Sequence, residues 1–241
     1  MAETPPFFGT QILDALTIED VEPYLDREAL FASRWQFRRG GDAKAWEELK
    51  RNKVVPVYEK MMALCLREPV IVPRIVYGHF RCEKEGNGLI VHGEGRAYRF
   101  DFPRERSSPN RCLSDFFEDG FVTFQLATVG DGATRAAAAK FSGHEYSDAF
   151  FLKGLAAEFA EATAKYGHRY IREELGVPEG AGERFSPGYP AFPDLSAQKS
   201  IALLLAPKRI GVSLTATFQL VPEHSTSALI SIDENAHHFR P

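Results

Sequence analysis

The chain has 241 residues, of which 44% are hydrophobic and 19 are phenylalanine, so it is long enough to bury a sizeable core. Its net charge of −4, without a cluster of lysine and arginine, excludes the electrostatic footprint of a nucleic-acid-binding protein. The N-terminus lacks a basic region followed by an apolar stretch, and no apolar run is long enough to span a bilayer. We therefore expect a soluble cytoplasmic protein with no membrane partner and no nucleic-acid partner.

The first quarter of the chain is expected to form an arm and helices. Residues 4–9 contain two prolines and two phenylalanines, which predicts an extended arm packed onto the body. Thr17 and Asp20 have the spacing of a capping box, and the apolar residues after them predict one or two short helices. Asp42 is expected to cap a further helix, which Pro56 interrupts.

From Pro69 the apolar pattern becomes that of strands. Residues 85–88 read Glu-Gly-Asn-Gly, a hairpin signal between two strands, and residues 97–102 alternate as a third. A short helix is predicted over residues 112–117, and residues 121–129 predict a fourth strand. Together these strands predict an antiparallel meander.

Two helices are predicted next, an alanine-rich one over residues 133–140 and the longest one over residues 146–175. One face of the long helix carries small residues together with one acid, Glu161, and one imidazole, His168. From the residues alone, Glu161 is expected to form a solvated pair with Lys165, and His168 to lie at the surface or cap the helix. The bulky side chains of the helix are expected to face the core: Leu152, Leu155, Phe159, Thr163, Tyr166 and Tyr170.

Residues 184–199 combine three prolines with a glycine and aromatic residues, so the backbone there can adopt few conformations. Composition alone favours a plain turn that leads into a helix over residues 196–205. The last part of the chain predicts strands over residues 212–220 and 225–232. Helices, then a meander, then helices, then strands indicate an α+β fold.

Chemistry-bearing motifs are sparse. Cys65, Cys82 and Cys112 form no Cys-x-x-Cys pair and are expected to be reduced, buried thiols. The sequence lacks the glycine-rich nucleotide-binding motifs, the nucleophile elbow and the His-Glu-x-x-His zinc motif, and no spacing of Cys, His and Asp indicates a metal site. No self-contained enzyme is recognisable from the residues alone.

The proline-rich stretch begins Arg184-Phe-Ser-Pro-Gly-Tyr-Pro-Ala-Phe-Pro. It resembles the Arg-x-x-x-Gly-Tyr-Pro-Ala-Cys-Pro loop of the C-terminal reactivation domain of cobalamin-dependent methionine synthase. Further stretches resemble that domain in the same order, so the resemblance covers essentially the whole chain. They are Thr4 to Gly9, Ala29-Leu-Phe, Trp35-Gln-Phe-Arg, Tyr77-Gly-His-Phe-Arg-Cys, Gly86-Asn-Gly-Leu-Ile-Val, Phe102-Pro-Arg, Cys112-Leu-Ser-Asp-Phe-Phe and Val221-Pro-Glu-His-Ser-Thr-Ser-Ala.

The resemblance implies a helmet-like single α+β domain over residues 1–241, with a twisted antiparallel sheet flanked by helices. The arm and first helices would occupy residues 1–68, and the sheet, long helix and proline loop residues 69–241. It also implies binding of S-adenosyl-L-methionine and docking on the cobalamin-binding domain of a methionine synthase or another corrinoid protein. There a flavodoxin-like or other electron donor and the methyl group of S-adenosyl-L-methionine would convert inactive cob(II)alamin back to methylcobalamin.

The same resemblance implies a set of ligand-binding residues. Arg184 would hold the methionine carboxylate, because a guanidinium is a planar bidentate donor. Glu3 would face the ammonium or sulfonium charge, and Glu161 matches a helix glutamate of the family. Tyr189 would lie near the corrin. Backbone groups of the proline loop, with Gly188 and Ala191, would meet the adenosine and the docked cofactor, and His238 and Phe239 align with a ligand-contacting tyrosine pair.

Two departures from the family pattern bear on function. Phe192 replaces the loop cysteine, which is not a catalytic thiol, so the change is expected to be harmless. His238 and Phe239 replace the tyrosine pair, which puts the affinity for S-adenosyl-L-methionine in question. Motifs for a cobalt-ligating histidine and for a zinc thiolate cluster are absent, so this chain alone is not expected to make methionine.

Three hypotheses therefore stay open at this point. The chain is a reactivation protein or domain that binds S-adenosyl-L-methionine, or a non-catalytic docking module for a corrinoid protein that has lost this binding, or a purely structural α+β domain.

Overall fold

The computed structural model describes residues 4–37, 40 and 42–241. Within these residues the core of the fold is a seven-stranded sheet in which every pairing is antiparallel. The sheet contains β1 (Gly9–Leu13), β2 (Arg74–Glu85), β3 (Gly88–Gly93), β4 (Arg96–Asp101), β5 (Gly120–Thr128), β6 (Glu183–Phe185) and β9 (Ser225–Ser231), while β7 (Ser213–Leu214) and β8 (Leu220–Val221) form a separate two-stranded ribbon.

The strand order is β4-β3-β2-β5-β9-β6, and β1 also pairs with β2. The long strand β2 has room for both neighbours on one side, because β1 pairs with its first half and β3 with its second half. The arm at residues 4–8 leads into β1, and the ring of Phe7 packs 4.7 Å from that of His79. The N-terminal arm is therefore fixed to the body by a strand that the sequence did not predict. The three-residue strand β6 lies at one end of the strand order, next to β9.

The helices are α1 (Ile18–Val21), α2 (Arg27–Ala29), α3 (Ala43–Leu49), α4 (Val55–Arg67), α5 (Gly132–Ser142), α6 (Tyr146–Glu174) and α7 (Ala197–Leu205). The predicted capping box at Thr17 and Asp20 and the predicted cap at Asp42 are both present. A π-helical segment, Lys50–Val54, joins α3 to α4. Pro56 does not end this helical run, because it lies in the first turn of α4, where no backbone N–H donor is needed.

The meander, α5, α6 and the last strand match their predictions within a few residues. The strand predicted over residues 212–220 is wrong. The Thr215 hydroxyl accepts backbone N–H bonds from Thr217 (3.3 Å) and Gln219 (3.0 Å), and the Gln219 carbonyl accepts the N–H of Thr215 (2.9 Å). This local bonding folds the segment into a turn between β7 and β8, which competes with an extended strand.

Helix α6 lies across one face of the sheet and meets it closely. The side-chain amide of Gln125, on β5, donates to the Ala164 carbonyl (3.0 Å). A Cβ atom added at Gly167 would lie only 2.9 Å from Ile75 and from Gln125, so a glycine is required for this approach. The other face of the sheet carries a second core layer, built from residues such as Phe100, Phe124, Phe192 and Ile201.

The N-terminal helices pack on the first half of α6. The Trp35 indole N–H donates to the Phe151 carbonyl (2.8 Å), and the ring lies against Gly154. Part of the small-residue face of α6 therefore accommodates Trp35. No group of three or more His, Cys, Asp or Glu side chains in the described residues could hold a metal ion, and no described helix is long and apolar enough to cross a membrane.

We expect Gly154→Ala to lower the free energy of unfolding by about 1–3 kcal/mol, although alanine is the better helix former. The new Cβ would lie 2.7 Å from Cδ1 of Trp35. Urea unfolding followed by circular dichroism measures the effect. Gly143→Ala is the matched control, because its Cβ would approach other atoms no closer than 3.5 Å. Equal stability changes in the two variants would contradict this account of the packing.

Candidate functional site

The proline-rich stretch forms a closed, compact loop. The Gly188 N–H donates to the Phe192 carbonyl (2.8 Å), and the Phe192 N–H donates to the Tyr189 carbonyl (2.9 Å). Gly188 has φ +91°, a conformation that favours glycine. The Phe192 side chain is fully buried, with its ring 5.0 Å from that of Phe102, whereas Tyr189 is 62% exposed. The loop is thus anchored by Phe192, at the position of the family cysteine, and presents Tyr189 to solvent.

Arg184 lies on β6, opposite Ile230 of β9, and its side chain reaches toward α6. Its Nη2 atom is 3.7 Å from Oε2 of Glu161, and the two side chains are 18% and 36% exposed. The two residues are therefore neighbours in the structure, while their roles in ligand binding stay predictions. The expected pair between Glu161 and Lys165 is not formed, because the Lys165 ammonium lies 3.4 Å from the Tyr24 carbonyl instead.

His168 lies two helical turns after Glu161 on α6 and near the same arginine. Burial, reinforced by the positive charges of Arg172 and Arg184, lowers the pKa of His168 to about 3, so the imidazole is neutral at pH 7. Its Nε2 atom and the Nε atom of Arg172 are both buried and have no hydrogen-bond partner within the described residues. The expectation of a surface or capping histidine is therefore wrong. This cluster holds two guanidinium groups and one carboxylate, a charge balance that suits an anion such as a carboxylate.

A cleft of about 370 Å³ lies between the proline loop and the C-terminal segment. This volume falls within the roughly 300–1,000 Å³ that is usual for small-molecule sites. His238 forms part of the wall, with its ring 5.1 Å from that of Phe185 and its Nε2 atom 3.6 Å from Oε1 of Glu183. We call this the aromatic cleft, and it is lined by Phe185, Ser186, Tyr189, Pro190, Ala191, Phe192, His238, Phe239 and Arg240.

The candidate residues thus form two groups on opposite sides of β6. Successive side chains of a strand point to opposite faces, so Arg184 turns toward α6 while Phe185 turns toward the aromatic cleft. A second cleft, of about 340 Å³, contains Glu161 and also Tyr189. Tyr189 therefore lies between the two groups. A ligand that contacts both would have to cross strand β6 at the edge of the sheet.

The structure brings several of the predicted residues together, while their roles in binding stay predictions. Tyr189, Ala191, His238 and Phe239 meet in the aromatic cleft, with Gly188 in the adjoining turn. Glu3 lies outside the described residues. A third hollow, of about 240 Å³, contains none of the predicted residues; it is lined by Phe116, Phe117, Glu118, Asp119, Gly120, Phe121, Thr123, Ile230, Ile232 and Asp233.

The sequence did not identify Phe185 and Arg240 as part of the aromatic cleft, or Arg172 as a positive charge near His168. Arg172 follows His168 by four residues, so helical spacing alone could have placed it near the imidazole. Phe185 directly follows Arg184 but could be assigned to the other face only once β6 was known to be a strand.

The pH dependence of stability provides a test of the His168 environment. The unfolded chain binds a proton at this histidine below pH about 6.5, whereas the folded chain does so only near pH 3, so the folded state loses stability as the pH falls. Between pH 7 and pH 5 the loss of unfolding free energy should be smaller in His168→Gln than in wild type, by up to about 2 kcal/mol.

Urea unfolding at pH 7 and pH 5 measures this difference, with His92→Gln, at an exposed site on β3, as the matched control. An equal pH dependence in wild type and His168→Gln would mean that His168 is not held neutral in the folded protein.

Comparisons with known proteins give one consistent result. The family described as "Vitamin B12 dependent methionine synthase, activation domain" matches residues 17–240. Methionine synthases of Mycobacterium tuberculosis (strain ATCC 25618 / H37Rv) and Mycobacterium leprae (strain TN) are each 32% identical to the chain over 272 residues. The match covers 98% of this chain and 23% of each relative, so the chain spans about a quarter of their length.

A solved structure shares the fold. The crystal structure of the MetH reactivation domain bound to AdoHcy superposes with a TM-score of 0.83 and 23% sequence identity, covering 99% of this chain and 82% of that one. The predicted α+β fold, with a twisted antiparallel sheet flanked by helices, is confirmed.

Proposed function

Since the chain belongs to the family of vitamin B12-dependent methionine synthase activation domains, we propose that it binds S-adenosyl-L-methionine and supports the reactivation of a cobalamin carried by a partner domain or protein. The observation that carries this proposal is the position of Arg184, between an acidic partner on α6 and the aromatic cleft on the other side of β6. When bound, S-adenosyl-L-methionine would supply the methyl group that, with one electron from a flavodoxin-like or other donor, restores methylcobalamin.

Arg184 is suited to the carboxylate end of this ligand. At 3.7 Å, its contact with Glu161 is longer than a hydrogen bond, so the guanidinium keeps donors for a bidentate carboxylate. Arg172 adds positive charge nearby, and the neutral His168 contributes no net charge. Glu161 offers a carboxylate for the positive ammonium or sulfonium group. The charges of the cluster thus match both signs present in the methionine part of the ligand.

The aromatic cleft is suited to the adenosine end. Phe185, His238 and Phe239 offer rings against which a purine can stack, and Ala191 leaves space beside them. His238 replaces a tyrosine of the family pattern, but its ring packs at the cleft wall beside Phe185, where it can still form one side of the site. An extended ligand that crosses β6 would contact both groups of residues.

We expect Arg184→Gln to weaken the binding of S-adenosyl-L-methionine by at least about 1.5 kcal/mol, because the variant loses a charged hydrogen-bonding partner for the carboxylate. This corresponds to a Kd more than tenfold higher, which isothermal titration calorimetry measures directly. Arg135→Gln is the matched control, since Arg135 is exposed on α5 and pairs with Asp131 of the preceding turn. An unchanged Kd in Arg184→Gln would refute the assignment of this arginine.

Tyr189 is suited to contact with the partner rather than to the stability of the fold. Its side chain is 62% exposed at the tip of an anchored loop, so a docked cobalamin domain can reach it. We expect Tyr189→Ala to leave the free energy of unfolding within about 0.5 kcal/mol of wild type. It should also weaken complex formation with the cobalamin-binding domain of a methionine synthase by at least fivefold (about 1 kcal/mol), measured by biolayer interferometry.

Phe141→Ala controls for the loss of an exposed aromatic ring, because Phe141 is also 62% exposed but lies at the end of α5. Equal binding by Tyr189→Ala and wild type would remove Tyr189 from the docking surface. The same assays separate the alternative function: a docking module that has lost the methyl donor would bind the cobalamin domain but not S-adenosyl-L-methionine.

A further inference from the structure

The C-terminal segment, residues 232–241, supplies one wall of the aromatic cleft but has little backbone support. It contains neither helix nor strand. Its internal bonds close a turn, in which the Asp233 carbonyl accepts the N–H of Ala236 (3.1 Å). Within the described residues, no backbone-to-backbone hydrogen bond joins residues 237–241 to the rest of the chain. The position of His238 and Phe239 in the cleft wall must therefore depend on side-chain contacts.

Arg111 supplies two of these contacts. Its guanidinium carbon lies 5.6 Å from the centre of the Phe239 ring, in a cation–π arrangement. Its Nη1 atom contacts Nε2 of His237. Phe116 packs against the same two residues. The Phe116 ring lies 6.1 Å from the Phe239 ring and 5.6 Å from the His237 ring. Arg111 itself does not line the cleft.

Glu105 holds Arg111 in this orientation. Its Oε2 atom accepts from Nε (2.9 Å) and from the backbone N–H (3.1 Å) of Arg111, and its Oε1 atom accepts from Nη2 (3.1 Å). These bonds lower the pKa of Glu105, so the carboxylate is ionised at neutral pH. This bidentate pairing fixes the plane of the guanidinium. It leaves the Nη1 atom and one face of the guanidinium plane free to contact the C-terminal segment.

From this geometry we infer that Glu105 and Arg111 are positioning residues that hold His237 and Phe239 in place and thereby set the C-terminal wall of the ligand site. The consequence for ligand affinity rests on the proposed binding of S-adenosyl-L-methionine. The consequence for the C-terminal segment does not. Arg111→Lys keeps the positive charge but loses the bidentate pairing with Glu105 and the planar guanidinium that lies over Phe239. This variant therefore isolates the geometric role of Arg111.

Native-state proteolysis tests the first consequence without any ligand. Chymotrypsin cleaves after phenylalanine, and Phe239, only 8% exposed, is protected until the segment detaches. We expect Arg111→Lys to be cleaved after Phe239 at least tenfold faster than wild type, as followed by intact mass. Arg104→Lys is the matched control, because Arg104 forms a similar bidentate pair with Asp115 in the same loop. Among the described residues, Arg104 has no contact with the C-terminal segment.

Calorimetry with S-adenosyl-L-methionine tests the second consequence. Arg111→Lys should raise Kd at least fivefold, and Arg104→Lys should not. Glu105→Gln combined with Arg111→Lys should be no worse than Arg111→Lys alone, because the two residues act through one contact. Unchanged cleavage after Phe239 in Arg111→Lys, or faster cleavage with unchanged affinity, would overturn the inference. If wild type does not bind S-adenosyl-L-methionine, the proposed function fails, while the cleavage rates still decide whether the pair positions the segment.

Discussion

The pairing of β6 with β9 is the constraint on which the candidate site depends. Strand β6 has only three residues, yet its pairing with β9 fixes which face of the sheet the side chains of Glu183, Arg184 and Phe185 point to. Arg184 is thereby directed to the charged surface of α6, and Phe185 to the aromatic cleft. A slip by one residue would exchange these faces and separate Arg184 from Glu161. The proline loop that follows is held by Phe192, which inserts into the core beside Phe102.

Both ends of the site rely on parts of the chain that are distant in sequence. Helix α6 approaches the sheet closely because Gly167 leaves space beside Ile75, and this approach brings Glu161 within reach of β6. On the other side, Arg111 contacts the C-terminal segment that carries the cleft wall. The aromatic and charged groups are thus assembled by the fold as a whole, which explains why the proline-rich stretch by itself appeared to be an ordinary turn.

Much of the fold could be predicted because its signals are local. The extent of α6, the cap at Thr17 and the hairpin after Glu85 each follow from residues a few positions apart. Strand β6 could not be predicted, because three residues carry no periodicity and their partner lies more than forty positions later in the chain. For the site, the family motif supplied Arg184 and Tyr189, but not the division between two faces of a strand. The charge environment of His168 was missed because Arg184 approaches it only in the folded chain.

A crystal structure of this chain with S-adenosyl-L-homocysteine tests the central claim most directly, because that ligand keeps the carboxylate and the purine of the proposed methyl donor. We predict that the ligand crosses β6, with its carboxylate within hydrogen-bonding distance of the Arg184 guanidinium and its purine beside Phe185 and His238. A ligand that lies instead in the hollow lined by Phe121, Ile232 and Asp233, with its carboxylate bound by none of the Arg184 donors, would contradict this prediction.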